Sequence, residues 1–184
     1  DWGDFPADTV LVKTISYERE AGNAESRRRM VTQILHNRGE VWRGNSGEWF
    51  GYSYVWNKEQ TDAVLAPGKG VTFEYAISDA KAPGGKRTLH RMIGSQGECY
   101  LCHNPWAGYR LGFTASQLAR THNYGGIEVD QLAVLRQSGL LETPDIDQQP
   151  PMSDPHDTTA DLASRARSWL HVNCAHCHRF GGGG

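Results

Sequence analysis

Hydrophobic and polar positions alternate with a period of two through the first half of the chain, then change to a helical spacing. Val10, Val12 and their apolar neighbours predict a strand from Thr9 to Tyr17. A second strand, near Met30 to His36, is predicted to turn through Asn37-Arg38-Gly39 into a third at Glu40 to Arg43. Phe50, Tyr52, Tyr54 and Trp56 alternate strictly with Gly51, Ser53 and Val55, which predicts a half-buried strand whose aromatic stripe is core. Val71, Phe73, Tyr75 and Ile77 repeat the pattern after the turn at Pro67-Gly68. Pro83-Gly84-Gly85 then makes another turn before a short strand at Arg87 to Met92. Residues 1–93 therefore read as a β-rich domain, an antiparallel sandwich or barrel-like region.

From Gly94 the period changes. Thr114-Ala-Ser-Gln117 fits a capping box and predicts a helix that ends by Tyr124-Gly125-Gly126. A further helix is predicted from about Glu128 to Ser138, with Leu132 and Leu135 inward and Gly139 as its stop. Residues 142–156 are a polar, Pro-rich linker. Leu162, Ala166, Trp169 and Asn173 then share one face of a helix that runs into Cys174. The expected fold class is α+β: the β region first, then a mainly helical region at 94–150 and the start of another helical domain at 151–184.

Composition changes this picture little. Only 38% of the 184 residues are apolar, although six tryptophans and seven tyrosines add bulk. The formal net charge is −2, with both signs interspersed, so nothing suggests a nucleic acid partner. The one dense basic run, Arg27-Arg28-Arg29, reads as a solvated strand end. No apolar stretch approaches the length of a transmembrane helix. With no initiator Met and no signal peptide, the chain is expected to begin after processing or within a longer protein.

The cysteines supply the chemistry. All four lie in two C-x-x-C-H motifs, Cys99-Tyr-Leu-Cys102-His103 and Cys174-Ala-His-Cys177-His178. This pattern is that of covalent haem attachment. Two thiols, one turn of backbone apart, add to the two vinyl groups of a porphyrin, and the adjacent imidazole ligates the iron. A zinc ribbon also pairs C-x-x-C, but at spacings of roughly 15–20 residues, whereas these motifs start 75 residues apart. A thioredoxin-like motif needs a βαβ context that is missing, and a C-x-x-C disulfide closes too small a loop to stabilise much. Two haem c groups are therefore expected. Cys99, Cys102, Cys174 and Cys177 would form the thioethers, and His103 and His178 the proximal iron bonds.

Four residues are candidates for the first iron's sixth ligand: His122, at the end of the capped helix, then Met92, His90 and Met152. His171 and His176 lie too close to the second motif to reach round its own iron, and His36 and His156 have no distinguishing context. A histidine there would give a low potential and a closed site, a methionine a higher potential, and an open position small-molecule chemistry.

The segments Glu98 to Phe113 and Arg165 to Gly184 resemble a family of extracytoplasmic bacterial dihaem c-type cytochromes. Asp4 to Thr14 and Gly51 to Asn57 are similar to that family's β region. Its members often belong to larger proteins or sit beside quinoprotein-dehydrogenase-like modules. The family pattern begins before Asp1 and continues past the final glycines into the rest of a cytochrome domain, usually with a Met ligand. The resemblance thus implies that missing sequence or another chain completes the second haem domain. The motifs together imply an electron carrier more than an enzyme, located in the periplasm or outside the cell. Its partner would be a redox protein, such as a dehydrogenase or another cytochrome. The alternatives are a dihaem peroxidase-like enzyme and a β-rich interaction module of a larger multihaem assembly.

Overall fold

The computed structural model describes residues 5–39, 48–141 and 150–178. The chain divides into two compact units, one spanning Phe5–Leu101 and the other holding the described residues from Cys102 onward.

The first unit is built on a four-stranded antiparallel sheet. Its strands β1 (Val10–Glu18), β2 (Arg27–Asn37), β3 (Trp49–Trp56) and β4 (Ala63–Leu65) lie side by side in sequence order. A two-stranded antiparallel ladder, β5 (Val71–Ser78) and β6 (Lys86–Ile93), forms a second sheet. The sheets meet over a core of Met30, Val31, Val55 and Ile93, against which Ile15, Tyr17, Phe73, Tyr75 and Leu89 pack. They are also joined at one corner, where Ser78 donates its N–H to Arg19 O and accepts from Ala21 N, both at 2.8 Å. The β1–β2 register shifts by one residue between Ile15 and Ser16, where Val31 and Arg29 are the partners, leaving Met30 as the extra residue. Such a bulge breaks the strict alternation of faces. It lets two consecutive residues, Met30 and Val31, both be buried.

β2 pairs with β3 in the register Leu35↔Gly51; the strand expected at Glu40 to Arg43 lies outside the described residues. Three expectations for this unit are corrected. Asn37 is not a turn tip but a buried clamp, its amide donating to Phe5 O and Pro6 O and accepting from Gly39 N. The aromatic face of β3 is the half-buried one, while Trp49, Gly51, Ser53 and Val55 are buried. Polar groups cover the aromatics instead. The Arg29 guanidinium lies 3.5 Å from the Trp56 ring centroid, and Trp56 Nε1 donates to Thr32 Oγ1 at 2.9 Å. A cation on an aromatic face keeps a ring half-exposed at little cost. Arg29 is therefore no solvated strand end, whereas Arg27 is exposed and pairs with Glu18 at 3.1 Å.

The region beyond Ile93 is not mainly helical, contrary to the expected fold class. Among the described residues it holds four α-helices, α1 (Gln96–Cys102), α2 (Ala115–Leu118), α3 (Gln131–Gln137) and α4 (Leu162–Cys174), and a β-hairpin, β7 (Thr121–Tyr124) with β8 (Ile127–Asp130). The Thr114 cap forms, accepting from Gln117 N, yet α2 lasts a single turn. The hairpin replaces the rest of the predicted helix. Gly125 and Gly126 both take positive φ, at 67° and 101°, the two-residue loop that matches strand twist. Asn123 Oδ1 accepts from Gly126 N at 2.6 Å, and Thr121, Ile127 and Val129 are β-branched. The core here is small: Ala115 and Leu132, with Leu118, Ala119 and Leu141 against them.

Replacing Ile93, 2% exposed in the first unit's core, with alanine is expected to cost about 2–5 kcal/mol. Urea unfolding of the two proteins checks this, and a loss under about 1 kcal/mol would show that the sheets do not meet over Ile93.

Candidate haem attachment sites

Each C-x-x-C-H motif stands at the C-terminal end of a helix whose first turn is fastened by a carboxylate. In α1 the fastening is a reciprocal capping box. Glu98 Oε2 accepts from Ser95 N at 2.6 Å, and Glu98 N donates back to Ser95 Oγ at 3.2 Å. In α4 the Asp161 carboxylate accepts from both the N–H and the hydroxyl of Ser164, at 2.8 and 2.9 Å. Hydrogen bonds to the charged form hold both carboxyls below their usual range, chiefly the bonds from Ser95 N and Ser164 N. The Ser95-x-x-Glu98 pattern was readable from sequence but was masked by the motif that follows it.

Cys99 and Cys102 are three residues apart on α1, and so share one face of its last turns. Cys99 is half-buried, and its surroundings are specific. An imagined Cβ on Gly51 of β3 would stand 3.0 Å from both Cβ and Sγ of Cys99, so the helix and strand approach as closely as a glycine permits. Next along α1, the Tyr100 hydroxyl donates to Trp49 O at 2.9 Å and ties the helix to the same strand. A cavity of about 150 Å³ opens beside the Cys99 thiol, lined by Gly51, Ser53, Leu65, Ala66 and Pro67 among others.

Cys102 and His103 open the second unit. His103 is half-buried, and its Nδ1 lies 2.5 Å from Tyr109 O. A carbonyl oxygen only accepts, so in the neutral ring Nδ1 carries the proton and Nε2 keeps the lone pair. The carbonyl is aimed by an unusual backbone. Gly108 and Tyr109 both lie in the left-handed region, at φ 69° and 60°, and Tyr109 N donates back to Asn104 O at 2.9 Å. For tyrosine that conformation costs about 1–2 kcal/mol, which the local bonds must offset.

The second motif follows α4 directly. Cys174 ends the helix, and its carbonyl accepts from Cys177 N and His178 N at 3.0 and 2.8 Å, a tight turn. Both thiols are half-buried and His178 is exposed. The four thiols are not linked as disulfides. Large apolar side chains near both motifs stay exposed: Leu101 and Trp106 at the first, Trp169, Leu170 and Val172 at the second. The face of α4 that carries Leu162, Ala166, Trp169 and Asn173 is exposed, and Ser168 is the helix's buried residue.

The residues fit a covalent haem better than a bare metal ion. Among the described residues no three His, Cys, Asp or Glu side chains converge as metal ligands. A structural zinc site needs four protein donors. A c-type haem asks each motif for only two thiols directed to the ring edge and one imidazole.

The sixth-ligand candidates are scattered. His122 is not at a helix end but in β7, exposed and edge-on to Tyr124 at 4.7 Å. His90 and Met92 stand on the exposed face of β6, His90 paired with Glu74 at 3.2 Å. Met152 is half-buried, its N–H donating to Ser116 O at 3.0 Å. His36 lies 3.8 Å from Asp8, while His171 and His156 are exposed and His176 is half-buried. A wider cleft of about 610 Å³ along β1 and β6 holds neither Cys nor His, and its charges are paired as Arg27–Glu18 and Arg87–Asp79.

No family model, no curated protein and no solved structure matches the chain.

Because its folded value is depressed, the Glu98 carboxylate stabilises α1 fully above the ordinary value of 4.5 and loses this as pH falls through the lowered one. Glu98→Gln removes the titration. The gap in urea midpoint between wild type and E98Q should therefore shrink as pH drops from 7 to 3, and a gap constant over that range would refute the capping assignment.

Proposed function

We propose that the chain is a dihaem c-type cytochrome that passes single electrons outside the cytoplasm. The observation that carries this reading is the contact of His103 Nδ1 with the Tyr109 carbonyl oxygen. In the neutral ring the Nδ1 proton goes to the Tyr109 carbonyl, which orients the Nε2 lone pair for an iron, and the motif's two thiols lie on one helix. The exposed apolar side chains beside both motifs support it, because a bound porphyrin would cover such surface.

The chain's own residues have three tasks. Each thiol adds across one vinyl group, its sulfur bonding the carbon next to the ring and its proton going to the terminal carbon, so nothing leaves. His103 and His178 each give a proximal imidazole. The Glu98 cap fastens the start of α1, on which both thiols of the first motif lie, and the Asp161 cap fastens the start of the helix that leads into the second. When bound, the haem iron supplies one-electron chemistry.

The partner in this reading is another redox protein, a dehydrogenase or a cytochrome. Among the described residues no helix is long and apolar enough to cross a membrane.

A chain matured where haem is attached should give two haems in a pyridine haemochrome assay, and one after Cys99→Ser/Cys102→Ser or Cys174→Ser/Cys177→Ser. Its reduced spectrum should be low-spin and indifferent to carbon monoxide. A count of zero ends the haem reading, and a carbon monoxide adduct ends the electron-carrier reading.

A further inference from the structure

We infer that the β-sheet of the first unit is one wall of the first haem site, and that the cavity beside Cys99 receives the porphyrin edge bonded to that thiol. The inference rests on the haem reading and adds an occupant for a named cavity.

Size selects the occupant. At about 150 Å³ the cavity is several times the ~30 Å³ of one water. It is well below the roughly 300–1,000 Å³ of pockets that enclose a whole ligand. It suits the rim of a planar group whose remainder lies elsewhere. Its lining suits an apolar rim, since Leu65, Ala66 and Pro67 face it and Gly51 contributes no side chain. Its position suits the chemistry, because addition of the Cys99 thiol to a vinyl group creates a methyl-bearing carbon next to sulfur. That carbon needs room beside Sγ, and Cys99 itself lines the cavity.

The strand is also built to hold this distance. Trp49, Gly51 and Ser53 are successive buried positions on one face of β3. Trp49 O anchors the helix through Tyr100, Gly51 touches the thiol, and Ser53 lines the cavity. β3 thus carries an anchor, a contact and a wall between Trp49 and Ser53. Ser53 O also accepts from Ala66 N at 2.7 Å, which fixes the opposite side of the cavity to the same strand.

The test fills the cavity in the matured protein. Gly51→Val and, from the other side, Ala66→Leu are purified, and the haem-bearing peptides of the two motifs are quantified by mass spectrometry. The ratio of first-motif to second-motif haem should fall about tenfold, the factor corresponding to ~1.4 kcal/mol of overpacking, with the second motif as internal control. Equal loading of both motifs with an unchanged midpoint potential of the first haem overturns the inference. A wild-type chain without haem overturns the underlying reading instead. Hydrogen exchange needs no cavity variant: residues 65–68 should exchange more slowly in the wild-type holoprotein than in Cys99→Ser/Cys102→Ser, and equal rates overturn the inference.

Discussion

Helix α1 lies against β3 at Gly51, where the strand offers a hydrogen atom in place of a side chain. Much of the first site's geometry follows from that approach. It fixes which face of β3 is buried, since the small residues Gly51 and Ser53 must point to the helix side. Four of the strand's five aromatics are thereby turned to the half-exposed face, where Arg29 and Thr32 cover Trp56, while Trp49 stays buried. It also accounts for the cavity, which is the space left when a helix is set close to a strand by its smallest residue.

The two motifs use one local device in two settings. A carboxylate near each helix start satisfies N–H groups that have no partner within the helix, and the cysteines fall at the other end. Around this shared plan the settings differ. Cys99 is wedged against a sheet and its helix is tied by Tyr100, whereas Cys174 and Cys177 close a tight turn with His178 exposed.

Much of this was legible in the sequence, and the failures have physical causes. Strands β3 and β5 follow from strict alternation, and β1, β2 and β6 from short apolar runs bounded by turn signals. Helix α4 follows from spacing, and its N-cap stands at Asp161. The burial of β3 was misread because aromatic side chains carry most apolar area, and composition alone does not reveal that a helix needs the other face. The helix expected through Tyr124 failed because a local cap at Thr114 says where a helix starts and not how long it lasts. Gly125-Gly126 between β-branched residues was the stronger signal, a two-residue hairpin loop. Of the site, the thiols and imidazoles were visible as residue types. The Tyr109 carbonyl was not, because a backbone acceptor aimed by two left-handed residues leaves no mark on the side-chain pattern.

That carbonyl has a consequence for the electronic character of the imidazole. A histidine that shares its Nδ1 proton with a good acceptor becomes a stronger donor through Nε2, part of the way toward imidazolate. Electron density pushed in this way favours the more oxidised state of whatever metal it meets. The bent backbone at Gly108 and Tyr109 is therefore more than a turn. It fixes, through one proton, how strong a donor His103 Nε2 would be to an iron bound there.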